Sequence, residues 1–399
     1  MKVAAVIPHW NRASLLRTLL ENLKEQSRKF DEVIVVDNGS TDGSADLAEK
    51  AGALVIRLDR NYGFAAAVNR GVAATDADWV AILNNDVTLD PAWLGRLCGV
   101  SAGARDIHNS GLLAESSSIE VTAKDDYASK RDELCRILEE KRPGLSADLY
   151  KATAGSRAPG KHGREREADR GESEQSPQSK ATAEVVFATG KILSARDHSI
   201  LDGAWDEVSR AACPVRIGSG APDGPFWNVQ RPIPMASMTA CLIRRKAFTD
   251  LGPLDERFES YLEDVDFGLR CAKAGLTGVY EPAAVAYHQG SSTWGRWNPD
   301  TVRLLSRNQI LLYAKHFRGQ PRWPILAGQL LWGLVALRHG CGWAWLKGKL
   351  AGLKMGDSIE NETRDTQALA GFLRTSEAAI LEHCRETYWR LYAWLAPLR

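Results

Sequence analysis

The sequence predicts an α/β protein: a mostly parallel open sheet with helices on both faces, followed by a helical C-terminal extension. Three observations predict it. Short apolar runs alternate with amphipathic stretches through the first hundred residues, the order expected of βαβ units. The runs end abruptly in polar groups, as at Asp37 and Asp86. Beyond residue 319 the chain carries stretches apolar nearly all round, punctuated by Trp.

The elements follow in order. Val3 to Ile7 is a short apolar strand stopped by Pro8. Ser14 is placed to cap a helix with Leu15, Leu16, Leu19, Leu20 and Leu23 on one face. Glu32 to Asp37 reads as a buried strand and Asn38 to Gly43 as a turn, leading to a short helix that ends at Gly52. Ala53 to Leu58 is a third strand. A helix from about Gly63 to Ala74 leads to the strand that starts at Trp79 and ends before Asp86. Asp90-Pro91, an N-cap followed by a first-turn proline, opens another helix.

The pattern lapses between about 102 and 183. Asp126 to Lys141 fits a charged amphipathic helix. Residues 151–183 hold Lys, Arg, Glu, Ser, Gly and Pro with almost no apolar residue, too little to offset the entropy of ordering, so disorder is expected. Glu184 to Thr189 resumes the sheet. Glu263 and Asp264 open a helix closed by Gly275, with Asp266 four residues before Arg270. Ala283 to Tyr287 is an apolar strand. The expected domain spans 1–318, with a helical extension over 319–399.

In that extension, Pro324 to Leu337 is apolar but too short to span a bilayer with ease. Trp323, Trp332, Trp343 and Trp345 punctuate it, and Arg338, Lys347, Lys349 and Lys354 follow. It reads equally as a helix lying on a membrane surface and as a helical hairpin packed on the domain or between two copies of the chain. Leu369 to Leu398 reads as one more helical segment, interrupted near Pro397.

Composition narrows the function. A net charge of +1 argues against dedicated nucleic-acid binding. The seven cysteines include no CxxC pair, which excludes a zinc ribbon or a redox dithiol motif and fits reduced thiols. The N-terminus reads as a strand, not as a secretory signal, so a cytoplasmic location is expected, with membrane contact from the inner face. Neither the dinucleotide GxGxxG after the first strand nor a GxxxxGK phosphate loop is present.

Ligands bind beyond the carboxyl ends of strands in such sheets. The first loop, Pro8-His9-Trp10-Asn11-Arg12, converges there with Asp37 and Asp86. Asp86 is placed to hold a hard divalent cation. Asp37 is placed to accept hydrogen bonds from a base or ribose. Asn11, Asn38 and Asp42 equally suit turns, whose backbones such side chains satisfy. Adjacent Glu263 and Asp264 repel, which raises a carboxylate toward the range of a useful base, although a helix N-terminus opposes the rise. His288 follows an apolar strand. Trp294 and Trp297 suit stacking on sugar rings or plain packing, and Arg296 suits a diphosphate.

Pro8 to Arg12, Val36 to Asp42, Asn61 to Asn69 and Leu83 to Asp86 occur in order, followed by Ala240 to Phe248, Leu254 to Phe258, Tyr261 to Arg270 and Ala286 to His288. This ordered set resembles the family 2 glycosyltransferases, in their rhamnosyltransferase-like branch. The resemblance implies a GT-A fold and inverting transfer. The donor is a nucleotide sugar, dTDP-rhamnose or a UDP-sugar, and the acceptor a glycan or lipid-linked glycan. It also implies a divalent cation, Mg²⁺ or Mn²⁺. Carried over by position, Asp264 is the catalytic base with Glu263 beside it, and Asp86 and His288 are metal ligands. Pro8, Asn11, Asp37, Asn38, Asn61, Asn69 and Asn85 fall to the donor, and Trp294 and Arg296 to an acceptor or diphosphate loop. The metal motif departs from the usual DxD: Asn84-Asn85-Asp86 keeps only the last carboxylate. One rival, a sugar-nucleotide pyrophosphorylase, expects a Gly-rich signature after the first strand that His9 to Arg12 does not supply. The other, a non-catalytic nucleotide-sugar or glycan binder, would be favoured by loss of the Glu263-Asp264 pair, which is present. A homo-oligomer is compatible with the sequence.

Overall fold

The computed structural model describes residues 1–103, 185–290, 297–356, 359, 366–384 and 386–398. The expected helix from Asp126 to Lys141, the expected disorder over 151–183, and Trp294 and Arg296 lie outside them. Everything described belongs to one compact unit, formed by Met1–Ala104 and Ala183–Arg399.

The first half alternates as expected: β1 (Val3–His9), α1 (Ala13–Glu25), β2 (Glu32–Asp37), α2 (Ser44–Lys50), β3 (Leu54–Arg57), α3 (Phe64–Ala73) and β4 (Trp79–Leu83). After a tight turn come β5 (Val87–Leu89) and α4 (Trp93–Gly103). Strands β3, β2, β1 and β4 lie side by side, all parallel. Alternation along β1 sends Ala4 and Val6 to one core layer and Val3, Ala5 and Ile7 to the other. Helix α3 covers the first face with Ala65, Val68 and Val72. Helix α1 covers the second with Leu16, Leu19, Leu20 and Leu23, and each such leucine contributes roughly 1.5–3 kcal/mol by leaving water.

Two local expectations are corrected. Pro8 does not stop β1, which runs on to His9. The His9 carbonyl accepts from Asn38 N–H at 2.7 Å on the β2 side, so alternation turns the proline nitrogen toward β4. The ladder to β4 ends at Val6, and no bond is lost there. Nor does Ser14 cap α1. The N-cap is Arg12, at φ 69°, and Ala13 N–H instead donates to the Asp42 carboxylate at 2.8 Å. The cap comes from the neighbouring loop, not from the helix's own sequence.

The second half completes the sheet. Strands β6 (Val185–Ser194), β7 (Leu201–Gly203), β8 (Trp205–Val208), β9 (Pro214–Ile217), β10 (Arg231–Ile233) and β11 (Ala240–Arg244) precede α5 (Arg245–Asp250) and α6 (Glu263–Lys273). Then come β12 (Thr277–His288) and α7 (Pro299–Leu312), which continues into a π-helical turn, Tyr313–Phe317. Strand β11 inserts antiparallel between β4 and β6, and β12 runs parallel to β6. Antiparallel β5 pairs with β12, and β7 with β6. These pairings carry the end of β12 across the mouth of the N-terminal half.

Four more helices follow: α8 (Arg322–Arg338), α9 (Gly342–Gly356), α10 (Thr366–His383) and α11 (Thr387–Leu395). The expected single segment from Leu369 to Leu398 is two helices, broken between His383 and Thr387, and the second ends at Leu395, near Pro397 as expected. The helices are joined to the body by a third core cluster, in which Val265 and Leu269 of α6 meet Leu311, Ile325 and Leu373.

Candidate active site

A cleft of about 600 Å³ opens beyond the carboxyl ends of β1 and β4. Here the strand order departs in both directions from β1, the usual place for a ligand in an open sheet. Pro8, His9, Asn38, Asn61, Asn84, Asn85, Asp86, Glu263, Asp264 and His288 all line it.

Sheet register explains how Asp86 and His288 meet. Val87 on β5 pairs with His288 on β12, and the Asp86 carbonyl accepts from Gln289 N–H at 3.1 Å. His288 Nε2 then lies 3.2 Å from the Asp86 carboxylate. Its Nδ1 lies 2.9 Å from Asp202, on β7. Burial opposes charge on this imidazole, but Asp202 and Asp86 outweigh it and push its pKa up to about 9. Among the described residues no group of three or more His, Cys, Asp or Glu side chains is arranged to hold a metal by itself. Asp86 and His288 nevertheless fit a cation that takes its remaining ligands from phosphate oxygens and water. The Asp202–His288 contact is the kind that orients a metal-binding imidazole.

On the β1 side, the Asn85 amide donates to His9 Nδ1 at 2.9 Å. Burial lowers the His9 pKa to about 4, so the ring is neutral, and its Nε2 is buried without a partner. Asn38 bridges two loops, donating to the Gly63 carbonyl at 3.0 Å and accepting from Tyr62 N–H at 3.2 Å. Asn61 accepts from Gly63 N–H at 2.9 Å.

Three of the residues expected at the donor do not line the cleft. Asn11 ties the first two loops together, accepting from Thr41 N–H at 3.1 Å. Asn69 uses both ends of its amide on Leu254, at 2.9 Å each, and so fastens α3 to the segment before α6. Asp37 lies beneath the loop, accepts from Ser40 N–H at 3.2 Å and keeps Oδ1 buried without a partner.

Glu263 and Asp264 begin α6 at the opposite wall. The loop that delivers them is unusual: Glu259, Tyr261 and Leu262 all have positive φ, at 58°, 70° and 71°. Such conformations persist only where the surroundings impose them. Here α7 does so. The Asn308 amide donates to the carbonyls of Phe258, Ser260 and Tyr261 at 2.8, 2.9 and 2.7 Å. Arg307 pairs with Glu259 and donates to the Phe258 carbonyl at 2.9 Å. From the other side, Ala65 N–H donates to the Glu259 carbonyl at 3.0 Å. A Cβ at Gly63 would stand 2.5 Å from that carbonyl oxygen, so only glycine lets the two loops meet.

Below this loop, Asp266 is fully buried and bonded to Arg270 at 3.0 Å, Lys315 at 2.9 Å and His316 at 2.7 Å. Burial works against its charge, yet His316, Arg270 and Lys315 outweigh it and hold Asp266 below the ordinary carboxylate range.

The pair at the cleft wall differs internally. Burial, then the Asp264 charge, drives Glu263 well above the ordinary carboxylate range, and its Oε2 is buried without a partner. Burial also raises Asp264, but Arg216 opposes the rise, and its side chain keeps partial access to solvent. Arg216 of β9 reaches Asp202 at 3.2 Å and Asp206 at 3.5 Å. Burial raises Asp206 in turn, against Arg216. Arg216, Arg307 and Asn308 have no signal in the sequence, and no individual role was expected of His9, Asp202 or Asp206. For His9 a signal existed, a polar residue at the end of a central strand. The others act through partners distant in sequence.

Residues 4–103 match glycosyl transferase family 2, and residues 222–359 match glycosyl transferase family group 2. The chain belongs to the family 2 glycosyltransferases. It resembles their rhamnosyltransferase-like branch, and its fold is a mostly parallel sheet with helices on both faces and a helical C-terminal region. It is 31% identical over 166 residues to an N-acetylglucosaminyl-diphospho-decaprenol L-rhamnosyltransferase of Mycobacterium tuberculosis, covering 38% of this chain and 52% of that protein. It is 36% identical over 115 residues to an undecaprenyl-phosphate 4-deoxy-4-formamido-L-arabinose transferase of Serratia proteamaculans, covering 27% of this chain and 35% of that protein. The match thus spans about half of the first relative and about a third of the second. A mannosyltransferase from Pyrobaculum calidifontis, solved with GDP-Man and Mn²⁺, aligns over 99% of this chain and 84% of its own, at 16% identity and a TM-score of 0.43.

Proposed function

We propose that this protein is an inverting glycosyltransferase that moves a sugar from a nucleoside-diphosphate donor to a glycan or lipid-linked glycan. One observation carries the reading: a single cleft at the binding edge of the sheet gathers Asp86, His288 and the Glu263-Asp264 pair. Two curated relatives are named as transferases in reactions with polyprenyl-linked compounds, one of them a rhamnosyltransferase. Their names favour a lipid-linked acceptor and dTDP-rhamnose, with a UDP-sugar as the other donor to test.

The geometry supports the following roles. Asn38 and Asn61 border the donor side, with Pro8 and Asn85 closing it toward β1. Asp37, beneath the loop, steadies the nucleoside end. Asp86 and His288 would hold Mg²⁺ or Mn²⁺, and a bound ion would supply positive charge to the departing diphosphate. Asp264 takes the proton of the acceptor hydroxyl as its oxygen bonds to the anomeric carbon, and the carbon–oxygen bond to the diphosphate breaks with its electrons. Asp264 suits this work better than Glu263. Arg216 opposes the rise of its pKa, whereas burial and the neighbouring Asp264 charge drive Glu263 further up with no cation to oppose them.

The test is release of nucleoside diphosphate from dTDP-rhamnose and a panel of UDP-sugars, with and without Mg²⁺ or Mn²⁺, in the presence of lipid-linked acceptors. Turnover of one donor that needs both cation and acceptor is expected. Tight donor binding with no release under any condition would leave a non-catalytic binder.

A further inference from the structure

We propose that α8, α9 and α11 form a platform that seats this protein on an anionic lipid bilayer. The exposed apolar surface is concentrated there. Trp323, Leu326, Leu330, Leu334 and Leu337 recur every three or four residues along α8, on the side opposite its buried Ile325, Gly328 and Ala336. Trp343, Leu346, Leu350 and Leu353 do the same on α9. Leu391 and Trp394 add to them on α11, where Trp394 is 71% exposed. Helix α8 packs against both of the others. Gly333 admits the Trp345 ring, and Trp323 Nε1 donates to the Leu395 carbonyl at 2.7 Å. Scattered exposed leucines need no explanation, but a set gathered on three adjoining helices marks an interaction site.

Charge identifies the partner. From Gln320 to Gly356 the chain has no Asp or Glu. Arg322, Arg338, Lys347 and Lys354 are all exposed on α8 and α9, and Lys347 lies over the Trp343 ring at 5.4 Å. Leucine and tryptophan on one face with basic residues around it suit an anionic headgroup layer over hydrocarbon. No helix among the described residues is long and apolar enough to cross a membrane, so these helices lie on the surface.

The platform is tied to the cleft through α7. Thr301 and Leu305 of α7 line the cleft. Along the same helix, a Cβ at Gly348 of α9 would stand 2.2 Å from the Arg303 carbonyl oxygen, and one at Gly352 would stand 2.7 Å from that of Arg307. The two helices therefore touch backbone to backbone, and α7 is the helix that clamps the loop before Asp264. Docking would orient the cleft wall relative to the bilayer. The purpose of the platform rests on the lipid-linked acceptor proposed above; its binding requires no substrate.

The experiment is vesicle flotation of the full chain. The probes are vesicles of phosphatidylcholine alone and vesicles containing phosphatidylglycerol, at low and high salt. The protein should float with the anionic vesicles and be partly released by salt, because the charge contribution is screened and the apolar one is not. Leu330→Glu with Leu350→Glu should lose binding at least tenfold. Lys347→Glu and Lys354→Glu should each lose about fivefold or more. Melting temperature and donor turnover with a short-chain acceptor in solution should stay unchanged in all of them. A folded chain that floats with neither vesicle overturns the platform, as does equal flotation of the double leucine variant. So does a dimer that those leucine substitutions split, which would give the face to a second copy. Absent flotation with intact turnover rejects the platform alone. Flotation without turnover rejects the glycosyltransferase reading alone.

Discussion

The two walls of the cleft are built by different means. On the proposed donor wall, each polar residue stands at the end of its own strand or in the loop directly after it: His9 ending β1, Asn38 after β2, Asn61 after β3, Asn85 and Asp86 after β4. On the opposite wall, Glu263 and Asp264 stand where they do because α7, more than forty residues later, holds their loop in a conformation it would not adopt alone. A strand end is a local property of sequence. A clamped loop is a property of two distant segments.

The difference can be broken at its strongest point first. Asp264→Asn removes the proposed proton acceptor and keeps the shape, so turnover should fall roughly 10²–10⁴-fold. Glu263→Gln, at a residue whose pKa burial raises without a nearby cation to oppose it, should fall by less; steady-state assays of both decide, and the reverse order would exchange their roles.

Asn308→Ala changes no residue of the Glu263-Asp264 pair but releases three carbonyls of the loop that delivers it. Misplacing a reacting group by about 1 Å costs on the order of 10²-fold. The loss should fall on kcat, with KM for the donor unchanged, since Asn38 and Asn61 bond to Tyr62 and Gly63 and Asp86 follows β4, none of them on the clamped loop. An equal rise in KM would mean that the walls are not independent.

Asp266→Asn tests the ground beneath that loop. Removing one partner of a buried charge cluster typically costs about 3–5 kcal/mol, so thermal melting at pH 7 should show a clear loss. The folded pKa of Asp266 is depressed, so the unfolded chain binds its proton first as pH falls. Its stabilisation is therefore complete above about pH 4, the ordinary carboxylate value, and is lost as pH falls below it toward the folded value. The Asn variant should lack that part of the acid slope.

The smallest effect is the most instructive about reading sequence. Ser14→Ala should change stability by less than about 0.5 kcal/mol, because Ser14 caps nothing. Asp42→Ala, which removes the real partner of Ala13 N–H, should cost about 0.5–2 kcal/mol. Chemical denaturation of the two variants checks the pair.

The same contrast explains what was legible. The strands, their order of appearance and the polar loop ends of the first half follow from apolar runs and turn residues, which act within a few positions. Asp86, His288, Glu263 and Asp264 were legible as residues, and their meeting point follows from the sheet edge. Three things were not. The register of β5 on β12 sets the Asp86–His288 distance. The β7–β9 region brings Asp202 and Arg216 behind His288 and Asp264. The break between α10 and α11 falls between His383 and Thr387, where neither proline nor glycine marks it. Asn69 shows the opposite error: a polar residue in a matching motif that spends both ends of its amide on backbone.

The most direct test of this division is calorimetric titration of the active donor, with cation, into Asp264→Asn and Asp86→Ala, each beside its turnover. If one wall binds and the other does the proton chemistry, Asp264→Asn keeps the wild-type donor Kd while turnover collapses, and Asp86→Ala loses donor affinity together with turnover. Unchanged donor affinity in Asp86→Ala, or lost affinity in Asp264→Asn, would contradict the assignment of the two walls.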